Sequence, residues 1–433
     1  MKNSLFQSLP DGFEYGIVQT EEEMDKIIEF NEAIHGENDA STLRHLVEEY
    51  PDFRKEMNFY IRDTDKGIIV SALNAIPSTW DYNGILLKNL ELGYVGTHID
   101  YRNQGLLRAL YLSQFENELF KGKYHISTIM GIPFFYRQFG YDFILPLSRA
   151  VMLDPREILR TNVKPLPSFE EIEVRPATLQ DLPHIKQLYK DLCKRFLVTV
   201  RRDDSLWTLQ ERTHRVWERK FETFVMERKG DIEGYLRFSI RDNPKDHFHN
   251  SLDVIESSVR SIGAVKRTLD LLAKKCQETG LVRILLPGTD VCHLSRVALD
   301  LGGTMSRGWK FQIRIPNMLH FLKRIRPVLQ RRLRRTIFEN LTIDLKLDIY
   351  RTCYTLKIVQ GNIIEVTEDR RPPPSEYFGI RMPPRDFLRL VLGEYDLDEL
   401  SNYNTDFIVD GFFRFLLRTL FPKQESWISY YFV

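Results

Sequence analysis

Arg102-Asn103-Gln104-Gly105 stands directly ahead of Ala109, Leu112, Phe115 and Leu119, an apolar set at helical spacing. A glycine in the first turn of a helix costs roughly 1 kcal/mol against alanine, so its presence calls for a reason. The N–H groups at a helix start have no partner within the helix and attract anions. Glycine lets a bulky phosphate come close to that backbone, and Arg102 and Arg108 add charge on either side. The segment lacks GxxxxGK[ST] and GxGxxG, so it is neither a P-loop nor a dinucleotide fingerprint. The chain before it, residues 57–99, reads as strands broken by turn signals at Asp65-Lys66-Gly67 and Asn83-Gly84. That is an antiparallel meander rather than a Rossmann unit.

The elements that must hold this turn follow from local pattern. Thr20 with Glu23 three residues on forms a capping box, and Met24, Ile27, Ile28 and Phe30 give the following helix one apolar stripe. The same signal returns at Thr178 and Asp181, ahead of Leu182, Ile185 and Leu188, which reads as an internal duplication. The second copy has strands over 221–240, a helix over 261–277 and an alternating "GWKFQIRIP" near its end. Nothing like Arg102–Gly105 opens its central helix. Between the copies, "TNVKPLPSFEE" is a linker. From Arg335 a third pattern begins, with alternating strands around Gln360-Gly361-Asn362 and amphipathic helices in "PPRDFLRLVLGEY" and "VDGFFRFLLRTLFP". The fold class expected is α+β, mixed, with mainly antiparallel sheets.

Composition sets bounds on partners. The 433 residues suit two or three domains, and a formal charge of +1 exerts no general pull on nucleic acid or anionic membranes. Lys323–Thr336 is a local basic run, read as a solvated or interface-facing helix. Cys193, Cys276, Cys292 and Cys353 form no CxxC pair, and His35 and His98 have no partner at metal or triad spacing, so no metal is expected. Without an apolar leader or a long apolar run, the expectation is a cytoplasmic protein with no membrane partner.

A strand, an Arg-x-x-Gly turn, a helix, a further strand and then "GIPFFYRQFGYDF" together resemble the GNAT superfamily of acyl-CoA-dependent N-acyltransferases. Two such copies followed by a region similar to sterol-carrier proteins look like the Eis-type (enhanced intracellular survival) acetyltransferases. The resemblance implies tandem GNAT domains plus a sterol-carrier-like α+β domain. These would comprise a catalytic domain at 1–160, a degenerate copy at 170–320 and a C-terminal domain at 335–433. It also implies acetyl-CoA as co-substrate. Val95, Gly96 and Thr97 would meet its pantetheine arm. Arg102, Asn103, Gln104, Gly105, Leu106, Leu107 and Arg108 would hold its pyrophosphate, and Gly131 and Ile132 would border the acetyl group. Tyr136 stands where the family places its general acid. The family uses a C-terminal carboxylate as base, which falls here to Val433 after "WISYYF", whereas Glu91 stands where other GNAT enzymes keep a base. Transfer to a small primary amine and a homo-oligomer, a hexamer in the family, are implied too. Alternatives are a non-catalytic acyl-CoA or lipid sensor, or a protein N-acyltransferase.

Overall fold

The computed structural model describes residues 8–147, 149–160, 171–216, 219–242, 249–370 and 379–428. Its secondary structure is mixed α and β with mainly antiparallel sheets, as the sequence indicates. Two compact units result, each described by itself.

The first unit gathers residues 1–48, 52–145 and 311–426. Strands β1 (Phe13–Ile17), β2 (Asn58–Asp63), β3 (Ile68–Tyr82) and β4 (Ile85–Thr97) form an antiparallel meander. The turns lie where the sequence signals them. Asn83 and Gly84 take φ of 50° and 90°, the left-handed pair that a tight hairpin demands. Strand β5 (Ile126–Ile129) then joins β4 in parallel. The next position is taken by strand Lys310–Arg314, antiparallel to β5, followed by β6 (Asp142–Pro146). Alternation alone assigns "GWKFQIRIP" to the end of the second copy. A strand's residue pattern shows which of its faces is buried but not which sheet it joins.

Helix α1 (Glu21–His35) starts with the expected box, Thr20 and Glu23 capping each other. It covers one sheet face, where a Cβ on Gly96 would meet Ile34 and Phe30 at 3.0 and 3.2 Å. The opposite face packs Phe59, Ile61, Leu73, Ala75, Leu90 and Leu92 against Leu106, Leu110, Tyr111 and Phe115. Those last four belong to a helical run in three consecutive pieces: α-helix Leu106–Leu110, a π-turn Tyr111–Phe115 and α-helix Glu116–Lys121. The widened turn brings the Tyr111 ring to 4.0 Å from that of Phe139, and Arg314 reaches the Tyr111 hydroxyl at 2.7 Å and Glu116 at 2.5 Å.

The same unit holds a second sheet of strands Ile343–Asp348, Thr352–Val359, Asn362–Arg370, Ile380–Arg381 and Ile408–Val409. Helix Met318–Leu333 carries most of the basic run, and its arginines are spent on main-chain carbonyls. Arg324 donates to Leu86 O, Arg326 to Ile364 O, Arg331 to Asn83 O and Arg332 to Leu420 O. The run thus fastens elements of one unit together. Asp142 adds to this by accepting from Arg385 at 2.6 and 2.5 Å and from Arg389 at 3.0 Å, and these cations hold its carboxyl below the usual range in spite of burial.

The second unit comprises residues 49–51, 146–310 and 427–433. Its sheet runs Ile172–Pro176, Glu222–Arg228, Asp231–Arg241, Ser251–Val259, Arg283–Pro287, Ala150–Leu153 and Thr304–Met305. Here too a meander is followed by a parallel partner, with Ser251–Asp253 paired to Arg283–Leu285, and a strand distant in sequence comes next. Thr178 and Asp181 form the expected box. Helix Ile262–Thr279 starts from a Ser261 cap two residues after its strand, with no left-handed glycine ahead of it. Most of the linker "TNVKPLPSFEE" lies outside the described residues.

Candidate functional site

The site grows from a defect in β4. Its ladder with β3 pairs Ala72 with Gly96 but Asn74 with Gly93, so β4 carries an extra residue there. Tyr94 takes φ of 44° at this bulge. The bulge turns Val95 towards the side of Leu90 and Leu92, while Gly96 faces α1. Simple alternation puts Glu91 and Val95 on one face; the inserted residue separates them.

Parallel pairing of β4 with β5 is confined to Asn89, Leu90 and Glu91 opposite Ile126, Ser127 and Thr128. Beyond Glu91, β4 continues to Thr97 while β5 ends at Ile129, so the two strands part in a cleft. Main-chain groups of β4 in that cleft are available to an extended ligand. Glu91 stands at the apex, 2% exposed. On the other edge of β4, Ser71 Oγ donates to Gly96 O at 3.0 Å and lies 3.0 Å from the Thr97 hydroxyl, which fixes the strand where it leaves the sheet.

The chain then passes through a 3₁₀ turn, Ile99–Tyr101, into the arginine-bearing turn. Gly105 is the residue just before helix Leu106–Leu110, at φ 76° and ψ 3°, and a Cβ there would find nothing within 4 Å. Asn103 is also left-handed, at φ 65°. Left-handed residues on either side of Gln104 fold the main chain into a concave, donor-rich turn. The first intrahelical bond runs from Ala109 N–H to Gly105 O, so the N–H groups of Leu106, Leu107 and Arg108 lie ahead of it at the open end. Arg102, Asn103, Gln104 and Arg108 are exposed. Arg108 is partly steadied by Gln138 at 3.1 Å and the Phe139 ring at 5.9 Å, and Arg102 donates to Thr97 O at 3.3 Å.

Residues 17–144 match the model of an acetyltransferase (GNAT) domain. Three solved structures share the fold over nearly the whole chain. A GCN5-related N-acetyltransferase from Anabaena variabilis aligns at TM-score 0.71 and 14% identity, covering 96% of this chain and 99% of its own. A probable N-acyltransferase of unknown function from Enterococcus faecalis gives 0.67 and 15%, covering 97% and 100%. Eis1 from Mycobacterium abscessus gives 0.61 and 12%, covering 96% and 99%. Comparison with curated proteins finds no match.

The rest of the site within the matched residues lies past β5. Gly131 and Ile132 continue the line of β5, and their carbonyls accept from Gln312 Nε2 at 2.8 and 3.4 Å. Phe134 follows at φ 72°, strained for a bulky residue, with its ring exposed. Tyr136 comes next, 6% exposed, edge-on to Phe135 at 5.0 Å. Burial pushes its phenol far above the ordinary tyrosine range. No hydrogen bond offsets this desolvation, which is the one cause of the shift. Its ring lies where a Gly131 side chain would be, 2.2 Å from the Cβ position. Gly131→Ala should therefore force the ring aside and lower stability by about 1–3 kcal/mol, visible as a drop in Tm. An unchanged Tm would show that the ring is not held by this contact.

The structure thus brings Val95, Leu106, Leu107 and Tyr136 into one cluster, with Gly131 under the Tyr136 ring, while Glu91 and Gly96 face the α1 side of β4. Val433 lies outside the described residues. Among those residues no three His, Cys, Asp or Glu side chains are grouped to hold a metal, and no helix is long and apolar enough to cross a membrane. Sequence reading missed the bulge at Tyr94, Gln312 and a buried asparagine at 74. The signal for Asn74 is present: with Ser71 it interrupts a largely apolar run in "IIVSALNAIP".

Proposed function

We propose that this chain is an N-acetyltransferase moving acetyl from acetyl-CoA to a primary amine by direct attack in a ternary complex. The observation that carries this reading is the parting of β4 from β5 leading straight into the Asn103–Gly105 turn, within the matched GNAT domain. The open space at Gly105 and the exposed arginines suit a diphosphate, and the stretch of β4 beyond its pairing with β5 suits a pantetheine arm. Val95, Gly96 and Thr97 would hold the arm, Arg102–Arg108 the pyrophosphate, and Gly131 and Ile132 the acyl end. The donor supplies a thioester; bond formation from nitrogen to its carbonyl carbon accompanies loss of the carbon–sulfur bond.

Tyr136 keeps its proton at neutral pH and gives it to the departing sulfur. Main-chain N–H groups beside the β4 bulge offer donors to the carbonyl oxygen. Two groups compete to take the proton from the amine: Glu91, at the apex of the cleft, and the carboxylate of Val433. Glu91→Gln should lower amine-dependent thiol release about 100-fold if Glu91 is the base. In the other case, residues appended after Val433 should abolish release while Glu91→Gln retains it. Thiol release from acetyl-CoA, assayed against spermidine, tryptamine and lysine methyl ester, tests the activity itself.

The common strand order of the two units supports reading the second as a degenerate copy that lacks the donor turn. The five-stranded sheet over 343–409 with its helices is proposed as the sterol-carrier-like domain, and a cytoplasmic homo-oligomer completes the reading.

A further inference from the structure

On the α1 face of the first sheet, a row of polar side chains lies under cover where an apolar core would be expected. The ladders set Asn58 opposite Asn74 and Asn74 opposite Gly93, with Glu91 in the adjoining row opposite Ile76 and Thr128. The side chains of Asn58, Asn74, Glu91 and Thr128 point to one face, because period-two alternation holds up to the bulge. Asn89, Ser78 and Thr128 satisfy one another, with Asn89 Nδ2 at 3.0 Å from Ser78 Oγ and 2.9 Å from Thr128 Oγ1.

Asn74 differs. It is 1% exposed, and neither its amide nitrogen nor its amide oxygen has a hydrogen-bond partner. The Asn58 side-chain oxygen, across the ladder, is likewise unpartnered, although its Nδ2 donates to Lys55 O at 3.0 Å. Gly93 makes the arrangement possible, since a Cβ there would lie 2.5 Å from Asn74 Oδ1. The Asn74 amide therefore lies over the β4 main chain one residue before the bulge. A buried amide left without partners costs about 1–3 kcal/mol, and a leucine of similar shape would avoid that cost.

Building on the acetyl-transfer reading, we propose that Asn74, with the side-chain oxygen of Asn58, seats the nitrogen of the acceptor amine. The pair lies on the Glu91 face of the sheet, with Asn74 opposite Gly93, two residues along β4 from Glu91 and beside the bulge. It offers neutral amide oxygens to the N–H groups of the incoming amine. Neutral acceptors at a buried position suit a neutral amine better than an ammonium ion, since burial disfavours the charged form. A nucleophilic nitrogen needs its lone pair free, and amide oxygens that accept its N–H groups leave it so.

The test compares wild type, Asn74→Leu, Asn74→Ser and Asn74→Asp in the full chain. Three readouts are used: acetyl-CoA affinity by calorimetry, Tm, and thiol release with the most active amine among spermidine, tryptamine and lysine methyl ester. Asn74→Leu should bind acetyl-CoA within about twofold of wild type and keep or raise its Tm, because two orphaned polar atoms are gone. Its amine-dependent release should fall at least about tenfold, with the amine KM raised. Asn74→Ser, which avoids any crowding by leucine, should show the same loss. Asn74→Asp should move the acid limb of the rate profile to higher pH, because a carboxylate beside the amine favours its ammonium form.

Wild-type release rates in Asn74→Leu or Asn74→Ser, with donor binding intact, overturn the acceptor seat alone. An unshifted profile in Asn74→Asp also overturns it, leaving a buried water only. A wild-type protein that neither binds acetyl-CoA nor releases thiol overturns the donor reading and the acceptor seat with it.

Discussion

Wild-type protein should bind acetyl-CoA saturably in a calorimetric titration, and Gly105→Glu should abolish that binding. Two effects combine at this position. The residue sits at φ 76°, where an L side chain is strained by about 1–2 kcal/mol. A carboxylate there would also face the diphosphate. At about 4 Å and an effective dielectric near 20, each unit of like charge costs on the order of 4 kcal/mol. Together these predict affinity weakened by at least about 100-fold. The fold should survive, because a Cβ at Gly105 meets nothing within 4 Å, so Tm should fall by only a few degrees. Gly105→Ala separates the terms, as it carries the strain without the charge. Equal affinities in wild type and Gly105→Glu would place the pyrophosphate elsewhere. Absence of binding in wild type would remove the donor altogether.

Tyr136→Phe should cut turnover by about 100- to 1000-fold while leaving acetyl-CoA affinity unchanged, which is the range lost with a general acid. Stability should change little, since phenylalanine keeps the buried ring and no hydrogen bond contributes to the shift of this phenol. The pH profile carries the sign. Burial raises the phenol's proton affinity, so the acid form persists through the alkaline range, and no fall in rate below about pH 10 should come from this group. Turnover retained in Tyr136→Phe would move the acid role to another group. Donor binding without turnover in both proteins would favour a sensor of acyl-CoA over an enzyme.

Local signals were the legible part of this chain. The capping boxes at Thr20 and Thr178 and the turns at Asn83-Gly84 and Gln360-Gly361 are settled within a few residues, and all appear as read. The Arg102–Gly105 turn was legible for the same reason: a costly glycine marks its place. Three features escaped, each decided by partners far along the chain. The bulge at Tyr94 shows only once β3 is laid against β4. Gln312 reads as one polar residue in an alternating strand until that strand is placed beside β5. The basic residues of Lys323–Thr336 are mostly exposed, as a solvated helix would be, but that carbonyls at residues 83, 86, 364 and 420 accept from its arginines shows only in the fold. Hydrophobic period gives faces; neighbours are chosen by the whole fold.

The placement of strand Lys310–Arg314 beside β5 bears on how the protein is made. While the ribosome has delivered only the first 150 residues, β5 has an uncovered edge, and its partner has not yet been synthesised. An exposed edge of that kind pairs readily with other chains. The closing contacts, Gln312 with Ile129 and Arg314 with Ser127, join residues more than 180 positions apart, which favours slow completion and exposure to aggregation. A gene fragment ending near residue 150 should therefore yield insoluble material, and residues 311–314 supplied in trans, or fused after a short linker, are the natural remedy.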